Sequence, residues 1–520
     1  MNRKEMLQEL KSAEKIWDII VVGGGATGLG IAVDATSRGY KTLLLEQSDF
    51  AKGTSSRSTK LIHGGVRYLQ QGNVSLVLEA LHERGLLLKN APHLVHNQSF
   101  IVPVYDWWEG PFYGVGLKLY DMLAGKLGFG PSKQLSRTET IKKIPNIEQN
   151  GLRGGVIYFD GQFDDSRLAI NLAQTAINNG GTLLNYMAVT SLMKTKGGMI
   201  NGVHVRDEIG GDSLEVLGRV VINAAGIFVE DIIRMDNPNA EKIIAHSQGA
   251  HLVIDKKFLP GKTAIMVPHT DDGRVLFAVP WENKVLIGTT DTSIPKSSLE
   301  PRALEREINF ILRNANRYLS EAPEKKDILS IFAGIRPLFS TERKGKKTAQ
   351  ISRDHVLLIS NSGLVTITGG KWTTYRKMAE DTVNQSADIA GLEPRLCKTK
   401  NLRIHGWMKN IDDSDPLHSY GSDAIKIKRL INKNATLGEK IHPQLPYLKA
   451  EVVWATREEM AMTVEDVLSR RTRALLLDAK TSIEMAPIVA QIMNSELKHD
   501  KSWEIKQIKE YSKLANNYLP

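Results

Sequence analysis

A glycine-rich turn near the beginning of the chain constrains the fold more than any other segment. The apolar residues 19–22 run into the turn 23–25, and small residues continue to Gly28. A second apolar run, residues 43–45, ends on Glu46. A buried strand, a glycine turn, a helix and a second strand that ends on an acid predict a βαβ unit that binds a dinucleotide.

Each position of this motif has a physical reason. Gly23 permits the tight turn, Gly25 lets the backbone approach a pyrophosphate, and Gly28 lets the helix pack close to the strand. The helix that begins near Ala26 and Thr27 directs unpaired N–H groups and the positive end of its dipole at the phosphates.

Glu46 narrows the choice of dinucleotide. It lies 18 residues beyond Gly28, where a carboxylate can accept hydrogen bonds from both ribose hydroxyls and would repel a 2′-phosphate. The motif therefore predicts FAD or NAD rather than NADP, and it leaves the choice between the first two open.

Composition sets the class of protein. The 520 residues are 42% hydrophobic and 24% charged, which predicts a globular protein of two or three domains. The single cysteine, Cys397, excludes an intrachain disulfide and a thiolate cluster for zinc or iron–sulfur, so we expect no metal and a reducing, cytoplasmic location. Residues 1–16 lack the apolar core of a signal peptide, and no run of about 18 apolar residues predicts a membrane span.

The net charge of +10 is compatible with nucleic acid, an anionic membrane surface or an anionic small substrate. Residues 401–520 hold 18 Lys and Arg against 16 Asp and Glu, so +8 of the excess lies in the first 400 residues. The chain has no basic tail and no basic run interleaved with aromatic residues, which disfavours nucleic-acid binding.

The remaining chain predicts further pieces of the same architecture. Residues 219–226 and 356–359 are typical of buried parallel strands of the nucleotide-binding domain. Four short β-rich runs in residues 249–291 predict an antiparallel meander, of the kind that forms a substrate lid. After about residue 395 the pattern becomes helical, for example over residues 464–480, which predicts a separate C-terminal domain.

Residues 107–129 are rich in aromatic side chains and glycine and carry Lys118 and Lys126. A partly amphipathic, basic segment of this composition can lie in the interface of a bilayer. A helix that packs in a core or between domains has the same pattern, and the sequence leaves both interpretations open.

Residues 53–69 follow Glu46 after only seven residues, so the chain must return directly from the ribose end towards the pyrophosphate and the redox ring. Small hydroxyl residues there offer hydrogen-bond donors, and Gly64 and Gly65 allow the backbone to lie against a planar ring. We therefore predict that this segment lines the cofactor and is more than a connecting loop.

At these residues the chain resembles the FAD-dependent glycerol-3-phosphate dehydrogenases, which share the glycine-oxidase and D-amino-acid-oxidase fold. The matching motifs are residues 23–28, Ser55 and Ser56, and residues 60–69, 223–226, 288–291, 334–337, 368–376 and 470–472. The resemblance implies an α/β, Rossmann-like FAD-binding domain with an inserted antiparallel-sheet substrate domain and a helical C-terminal domain. The expected bounds are 17–90, 151–230 and 331–390 for the FAD-binding domain, 91–150 and 231–330 for the substrate domain, and 391–520 for the C-terminal cap domain.

The function implied by the resemblance is oxidation of sn-glycerol 3-phosphate to dihydroxyacetone phosphate. Hydride would pass from C2 to N5 of FAD, and membrane quinone would reoxidise the flavin. The family acts at the membrane surface, so the resemblance also implies a peripheral enzyme on the inner face of the cytoplasmic membrane that binds an anionic surface, with a homodimer as a further expectation.

Five residues are expected to handle the substrate. Arg67, Arg336 and Lys371 match the family's substrate-site cations, which suit a dianionic phosphate and a developing alkoxide. Tyr68 would hydrogen-bond the substrate. His251 is the favoured catalytic base because histidine titrates near neutral pH, with Lys371 as the alternative.

Beyond the glycine turn, the expected cofactor-binding residues form two sets, one in residues 53–69 and one around Gly370. The helix that follows Gly370 would direct the positive end of its dipole at the flavin. The full set is Gly23, Gly25, Ala26, Thr27, Gly28, Glu46, Ser55, Ser56, Lys60, Leu61, His63, Ala225, Gly334, Gly370 and Lys371.

Other functions fit the same features less well. A glycerol-3-phosphate oxidase, which passes electrons to oxygen, shares this fold and site but usually carries an additional internal segment that is not evident here. An amino-acid oxidase would need fewer cations than this site offers. A flavin- or NAD-binding RNA-modification or regulatory module would need a basic groove.

Overall fold

The structure, a computed structural model, describes residues 1–12, 15–65, 73–340, 354–412 and 414–520. The α-helices among them are α1 (Arg3–Lys11), α2 (Ala26–Arg38), α3 (Val74–Asn90), α4 (Glu109–Ala124), α5 (Arg137–Lys143), α6 (Asp165–Asn178), α7 (Val229–Asp236), α8 (Glu305–Asn316), α9 (Tyr375–Ile389), α10 (Ala424–Lys433), α11 (Lys449–Glu458), α12 (Ala474–Leu477), α13 (Ala479–Leu497) and α14 (Lys501–Ala515).

The β-strands among the same residues are β1 (Trp17–Val22), β2 (Thr42–Leu45), β3 (Leu61–Ile62), β4 (Val95–Val104), β5 (Lys133–Ser136), β6 (Gly154–Phe163), β7 (Thr182–Leu184), β8 (Met187–Lys194), β9 (Ile200–Asp207), β10 (Ser213–Asn223), β11 (Ile244–Asp255), β12 (Ala264–Val267), β13 (Leu276–Trp281), β14 (Lys284–Gly288), β15 (Thr292–Ile294), β16 (Ile328–Phe339), β17 (His355–Ile359) and β18 (Val365–Gly369).

The first sheet has the strand order β17-β18-β10-β1-β2-β7. Strands β18, β10, β1, β2 and β7 run parallel, and the β8–β9 hairpin joins the sheet beside β10. Helix α2 packs between α6 and α9, and its apolar residues share a fully buried core with β1 and β2. The βαβ unit predicted from the glycine turn is confirmed.

One strand of this sheet differs from the prediction. Residues 356–359 were expected to form a buried parallel strand, but β17 is a half-buried strand antiparallel to β18. The reason is the short connection, in which Ser360 N–H donates to the Leu364 carbonyl at 3.0 Å. A hairpin of this length cannot make the crossover that a parallel pair requires.

The second sheet has the order β15-β11-β14-β13-β12-β4-β6-β3, with β16 paired to β11 and β5 paired to β6. Strands β12, β13 and β14 form an antiparallel meander within residues 249–291. Strand β11 is also antiparallel but pairs with β14 and not with β12, so the predicted meander of four consecutive runs holds for three of them. One face of the sheet packs against α8, and the other packs against the C-terminal helices.

The predicted domain bounds remain predictions, but sheet membership differs from them at three strands. Strands β3, β6 and β16 fall wholly or largely in pieces assigned to the FAD-binding domain, yet all three hydrogen-bond in the second sheet, β3 and β4 to β6 and β16 to β11. Pairing between strands that are distant in the chain is what sequence periodicity cannot supply.

The described residues beyond 395 contain helices and no strand of a sheet. The continuous helix expected over residues 464–480 is wrong. Residues 466–471 form a π-helical turn, Arg473 has a φ of +62°, and α13 begins after Asp478, whose carboxylate accepts from the Thr481 N–H at 3.0 Å. Buried ion pairs made by the arginines of this turn stabilise the break.

One cluster of these ion pairs is centred on Asp49, which lies three residues after Glu46. Arg471 donates from Nη1 and Nη2 to the two oxygens of Asp49 at 2.8 and 3.0 Å, and Arg470 Nε donates to Oδ2 at 2.5 Å. All three side chains are almost completely buried. Burial by itself would raise the pKa of Asp49, but Arg471 and Arg470 outweigh it and hold the pKa well below its ordinary value.

We expect Asp49→Asn to destabilise the protein strongly, because it removes a negative charge that two buried guanidinium groups share. Breaking a buried ion pair of this type costs about 3 kcal/mol. Denaturant unfolding of the protein measures the change. The control is Asp212→Asn, which breaks the exposed pair between Lys11 and Asp212 and should have a much smaller effect. Equal changes in the two variants would contradict the role assigned to Asp49.

Candidate functional site

The glycine turn has the geometry that its motif requires. Gly23 has a φ of +112°, and a Cβ atom there would lie 2.6 Å from the Ala224 carbonyl oxygen at the end of β10. Gly25, Ala26 and Thr27 are partly exposed, and Gly28 is buried against the turn. The beginning of α2 is therefore accessible to a ligand that lies on the turn.

Glu46 lies beside this turn. Its Oε2 accepts from the Gly24 N–H at 2.6 Å, and its Oε1 accepts from the Ser48 N–H at 2.9 Å. Burial raises the pKa of Glu46, and the two backbone hydrogen bonds oppose that shift. The carboxylate is therefore held at the turn by backbone donors, at the carboxyl end of β2, where a ribose is expected.

Residues 53–60, here called the hub segment, connect the turn to the rest of the site. Ser55 Oγ accepts from the Ala26 N–H at the start of α2 at 2.9 Å, and the Ser55 carbonyl accepts from Trp372 Nε1 at 2.9 Å. One residue thus joins the glycine turn to the segment that follows β18.

The hub segment also contacts the second sheet. Thr54 Oγ1 donates to the Ile335 carbonyl on β16 at 2.6 Å, and Thr59 Oγ1 lies 2.9 Å from His251 Nε2 on β11. This short stretch of chain therefore contacts both the dinucleotide turn and the inserted sheet.

A buried ion pair fixes the shape of the hub segment. Lys60 Nζ donates to the two oxygens of Asp165 at 2.8 and 2.7 Å and to the Ser56 carbonyl at 2.7 Å, and neither charged side chain has measurable exposure. Burial lowers the pKa of Lys60, although Asp165 opposes that shift. The ammonium group of Lys60 is thus bound to Asp165 and the Ser56 carbonyl. That Lys60 also contacts a cofactor stays a prediction.

His251 lies in a dry, cationic environment. It is 2% exposed, and its ring stacks on Phe332 with a centroid distance of 4.9 Å. Burial, and after it Arg336 and Lys60, hold the pKa of His251 well below its ordinary value. Its Nδ1 has no hydrogen-bond partner among the described residues. The ring is therefore neutral at neutral pH and has a proton-accepting nitrogen.

Arg336 is oriented by the neighbouring turn of the second sheet. Its guanidinium donates to Thr289 Oγ1 at 3.1 Å and to the Thr290 carbonyl at 3.3 Å. A Cβ atom at Gly249 would lie 2.5 Å from Arg336 Nη2, so only glycine leaves room for the guanidinium on this side. Arg336 remains partly exposed, as a group that binds a ligand must be.

The segment after β18 completes this side of the site. Gly369 and Gly370 have φ of +75° and +72°, and the partly exposed Lys371 leads into the 3-10 turn Trp372–Thr374 and then α9. The Thr373 hydroxyl donates to the His63 carbonyl at 3.5 Å.

The other predicted residues lie on the same elements. Leu61 is in β3, Ala225 follows β10 beside Gly23, and Gly334 on β16 pairs with Gly249. Arg67 and Tyr68 lie outside the described residues. The glycine turn, the hub segment, His251 and Arg336 are thus brought into one connected region.

Sequence reasoning missed several residues that build this region, namely Thr59, Asp165, Gly249 and Trp372. Trp372 and the turn that orients Arg336 lie in motifs that match the family. The sequence therefore indicated that they belong to the site but did not predict which residues they contact. Thr59 and Asp165 gave no separate signal, because each acts on a residue more than a hundred positions away.

Comparison with known proteins decides the family. A model of the FAD dependent oxidoreductase family matches residues 18–376, and a model of the C-terminal domain of alpha-glycerophosphate oxidase matches residues 365–504. The chain is 38% identical over 552 residues to the mitochondrial glycerol-3-phosphate dehydrogenase of Mus musculus, an alignment that covers 100% of this chain and 75% of the relative. The chain belongs to the FAD-dependent glycerol-3-phosphate dehydrogenase family.

Solved structures agree with this family. The glycerol-3-phosphate dehydrogenase from Bacillus halodurans, complexed with FAD, superposes with a TM-score of 0.81 at 28% identity and covers 100% of this chain and 98% of that chain. Glycine oxidase from Geobacillus kaustophilus has a TM-score of 0.52 at 18% identity, covers 76% of this chain and 99% of that one, and shows the fold alone. The predicted fold class and the FAD cofactor are confirmed.

The residues present fit FAD. The close backbone approach at Gly23, the accessible beginning of α2 and the carboxylate of Glu46 are what the pyrophosphate and ribose of a dinucleotide require. In the part of the chain that the structure describes, no group of three or more His, Cys, Asp or Glu side chains could hold a metal ion.

We expect the buried, neutral His251 to make stability depend on pH. In an unfolded chain the pKa of histidine is about 6.5, and in the folded protein it is well below that. As the pH falls below about 6.5 the unfolded chain takes up a proton first, so the folded state loses stability. His251→Gln should show a shallower fall than wild type between pH 7 and pH 5 when unfolding is followed by denaturant titration.

The control for this prediction is His204→Gln, because the His204 side chain is 42% exposed. Its stability curve should run parallel to that of wild type. If the stability curve of His251→Gln were also parallel to that of wild type, protonation of His251 would not be responsible for the loss of stability at low pH.

Proposed function

We propose that this enzyme oxidises sn-glycerol 3-phosphate to dihydroxyacetone phosphate. Bound FAD supplies the two-electron acceptor for the hydride that leaves C2, and a membrane quinone takes the electrons onward. The proposal rests on two groups on adjacent strands of the second sheet, near the hub segment: the partly exposed Arg336 on β16 and the buried, neutral His251 on β11.

Arg336 suits the phosphate of this substrate. Its planar guanidinium is oriented by Thr289 and Thr290, and a guanidinium group is suited to phosphate because its parallel N–H donors match two phosphate oxygens. We propose that Lys371 contributes a second positive charge, and that Arg67 and Tyr68, outside the described residues, complete the substrate contacts. Binding of the dianionic phosphate would hold the glycerol carbons in a single orientation for the reaction.

His251 would act as the base. Loss of hydride from C2 leaves positive character on that carbon, and the C2 hydroxyl must lose its proton for the ketone to form. A neutral imidazole can take that proton, whereas a protonated one cannot. The hydroxyl of Thr59 orients the ring through Nε2, and the surrounding cations stabilise negative charge on the substrate oxygen. Lys371 is the alternative base.

Anaerobic titration of the bound flavin with glycerol 3-phosphate tests the proposal directly. We expect the substrate to abolish the absorbance of oxidised flavin in wild type. Gly249→Ala should need at least about tenfold more substrate, because the new methyl group displaces the Arg336 guanidinium from its place and a tenfold loss corresponds to 1.4 kcal/mol of binding.

A matched control is Arg317→Lys, which alters an arginine on an exposed pair with Asp271, outside the region around the hub segment. It should titrate like wild type. A fully FAD-loaded protein that glycerol 3-phosphate does not reduce would overturn the proposed reaction.

An oxidase that uses oxygen is the second candidate, because the C-terminal match is to a domain of alpha-glycerophosphate oxidase. Stopped-flow reoxidation of the substrate-reduced enzyme separates the two. Faster reoxidation by a soluble quinone analogue than by oxygen supports the dehydrogenase, and the reverse order supports the oxidase.

We also propose that the enzyme is peripheral on the inner face of the cytoplasmic membrane and binds there through α4. Among the described residues, no helix has the length and apolar character needed to cross a bilayer. Helix α4 has two apolar stripes. The inner stripe, Tyr113, Leu117, Tyr120 and Ala124, is buried. The outer stripe, Phe112, Val115, Leu119 and Met122, is exposed, as are Trp107 and Trp108 immediately before the helix. Homodimer formation stays a separate prediction.

The outer stripe fits an anionic lipid surface. Trp107, just before α4, and Met122 are each 77% exposed, and the exposed Lys118 lies one helical turn before Met122. Aromatic and apolar side chains next to lysine are typical of helices that lie in the headgroup region. The inner stripe therefore has the core packing that was one interpretation of residues 107–129, and the outer stripe supports the proposal of membrane binding.

We expect wild type to sediment with vesicles that contain an anionic phospholipid, and to be partly released by salt because lysine attracts the charged headgroups. The double substitution Trp107→Ser and Met122→Ser should reduce sedimentation several-fold, since each lost apolar group weakens insertion. The control is Leu396→Ser, which removes a leucine that is 89% exposed elsewhere on the protein. Failure of wild type to bind at any salt concentration would remove this proposal.

A further inference from the structure

A buried serine lies between Arg336 and a carboxylate. Ser247 is opposite Arg336 in the register of β11 and β16 and is 0% exposed. Its hydroxyl oxygen lies 3.4 Å from Arg336 Nη1, and the same hydroxyl hydrogen-bonds to Asp291 Oδ1 in the turn that follows β14. Ser247 therefore connects the guanidinium to a carboxylate that has no part in the proposed reaction.

The direction of these hydrogen bonds follows from the groups at the two ends. A guanidinium can only donate, and an ionised carboxylate can only accept. The Ser247 hydroxyl must therefore donate to Asp291, which leaves its lone pairs for Arg336. Because each hydrogen bond polarises the next, the carboxylate makes the hydroxyl a better acceptor for the guanidinium.

Asp291 is held from its other side. Its side chain is 6% exposed, and Arg274 Nη1 lies 3.3 Å from its Oδ2. Arg274 also donates to the Asp291 carbonyl oxygen at 2.9 Å. The preceding residue, Thr290, is anchored as well, because its hydroxyl donates to the buried Glu307 of α8 at 2.8 Å. The carboxylate is therefore a fixed acceptor for the Ser247 hydroxyl.

The same face of β11 carries the proposed base. Ser247, Gly249 and His251 are alternate residues of the strand, so their side-chain positions share one face. The Arg336 guanidinium lies over the middle position, where a Cβ atom at Gly249 would be 2.5 Å from Nη2. Four residues of extended strand span about 13 Å. Ser247 therefore holds the guanidinium from the end of this row that is farther from His251.

We propose that Ser247, oriented by Asp291, is a positioning residue that sets where the Arg336 guanidinium lies relative to His251. The inference rests on the proposed function, in which Arg336 binds the substrate phosphate and His251 is the base. Without the hydroxyl, Arg336 Nη1 loses one acceptor and the buried Asp291 carboxylate loses one donor. The guanidinium then adopts other orientations for part of the time, so binding of the phosphate weakens.

The test compares Ser247→Ala with Ser330→Ala. Ser330 lies on β16, is also 0% exposed, and donates its hydroxyl to the Leu475 carbonyl oxygen at 2.9 Å. Both variants lose one buried serine hydroxyl from the same pair of strands. The measurements are FAD content, the limiting rate of anaerobic flavin reduction, and the concentration of glycerol 3-phosphate that gives half that rate.

For Ser247→Ala we expect the half-saturating concentration to rise about fivefold, with retained FAD and a limiting rate within about threefold of wild type, since a lost binding contact raises KM more than it lowers kcat. Ser330→Ala should have the half-saturating concentration of wild type. An unchanged value in Ser247→Ala, or an equal rise in both variants, would overturn the inference. If Ser247→Ala does not fold, Ser247→Cys replaces it, because a thiol is only a weak hydrogen-bonding group. A rise of several-fold is then expected, and no rise would overturn the inference.

A double-mutant cycle with Arg336→Lys separates this inference from the proposed function. If Ser247 acts through Arg336, Ser247→Ala should have little effect in the Arg336→Lys background, and full additivity of the two changes would overturn the inference. Arg336→Lys by itself tests the proposed function. If it leaves the half-saturating concentration unchanged, the proposed substrate role of Arg336 fails, whatever Ser247→Ala does.

Discussion

The buried ion pair between Lys60 and Asp165 is the interaction on which the rest of the site depends. It closes the hub segment by joining its last residue to the start of α6 and to the Ser56 carbonyl. The neighbouring residues of the hub segment then have fixed directions. Ser55 reaches the beginning of α2, and Thr59 reaches His251. A buried lysine without its carboxylate would be very unfavourable, so the pair and the segment are kept together.

The same end of α6 links the hub segment to the C-terminal helices. Asp165 binds Lys60, and the preceding residue, Asp164, binds Arg473 in the turn before α12. Asp49, just beyond Glu46, binds Arg471 in the same turn. The C-terminal helical region therefore packs against the FAD-binding region through charges that neither part could bury separately. This arrangement explains why the helix expected over residues 464–480 is interrupted, because its arginines must turn inward to reach these carboxylates.

Much of the fold could be predicted from the sequence. The βαβ unit and the antiparallel runs of residues 249–291 follow from local patterns of apolar residues and glycine, and both are confirmed, although β11 pairs with β14 and not with β12. The parallel prediction for β17 was wrong because the short turn before β18 makes a hairpin, and the continuous helix was wrong because its arginines pair with distant carboxylates. The sequence left the interpretation of residues 107–129 open, since only packing separates an inner stripe from an outer one.

The sequence by itself determined the FAD-binding turn, because a tight turn and a close backbone approach require glycine at fixed local spacing whatever surrounds it. The tertiary structure alone decided how the side chains and backbone groups of the candidate site are oriented. Thr59 meets His251 across 192 residues, and Ser247 meets Asp291 across 44. Hydrogen-bond partners at such separations leave no local pattern, because they are set by how the two sheets and the helices pack. The requirement for glycine at position 249 is also set by tertiary structure, because the Arg336 guanidinium from the neighbouring strand β16 occupies the space that a side chain would need.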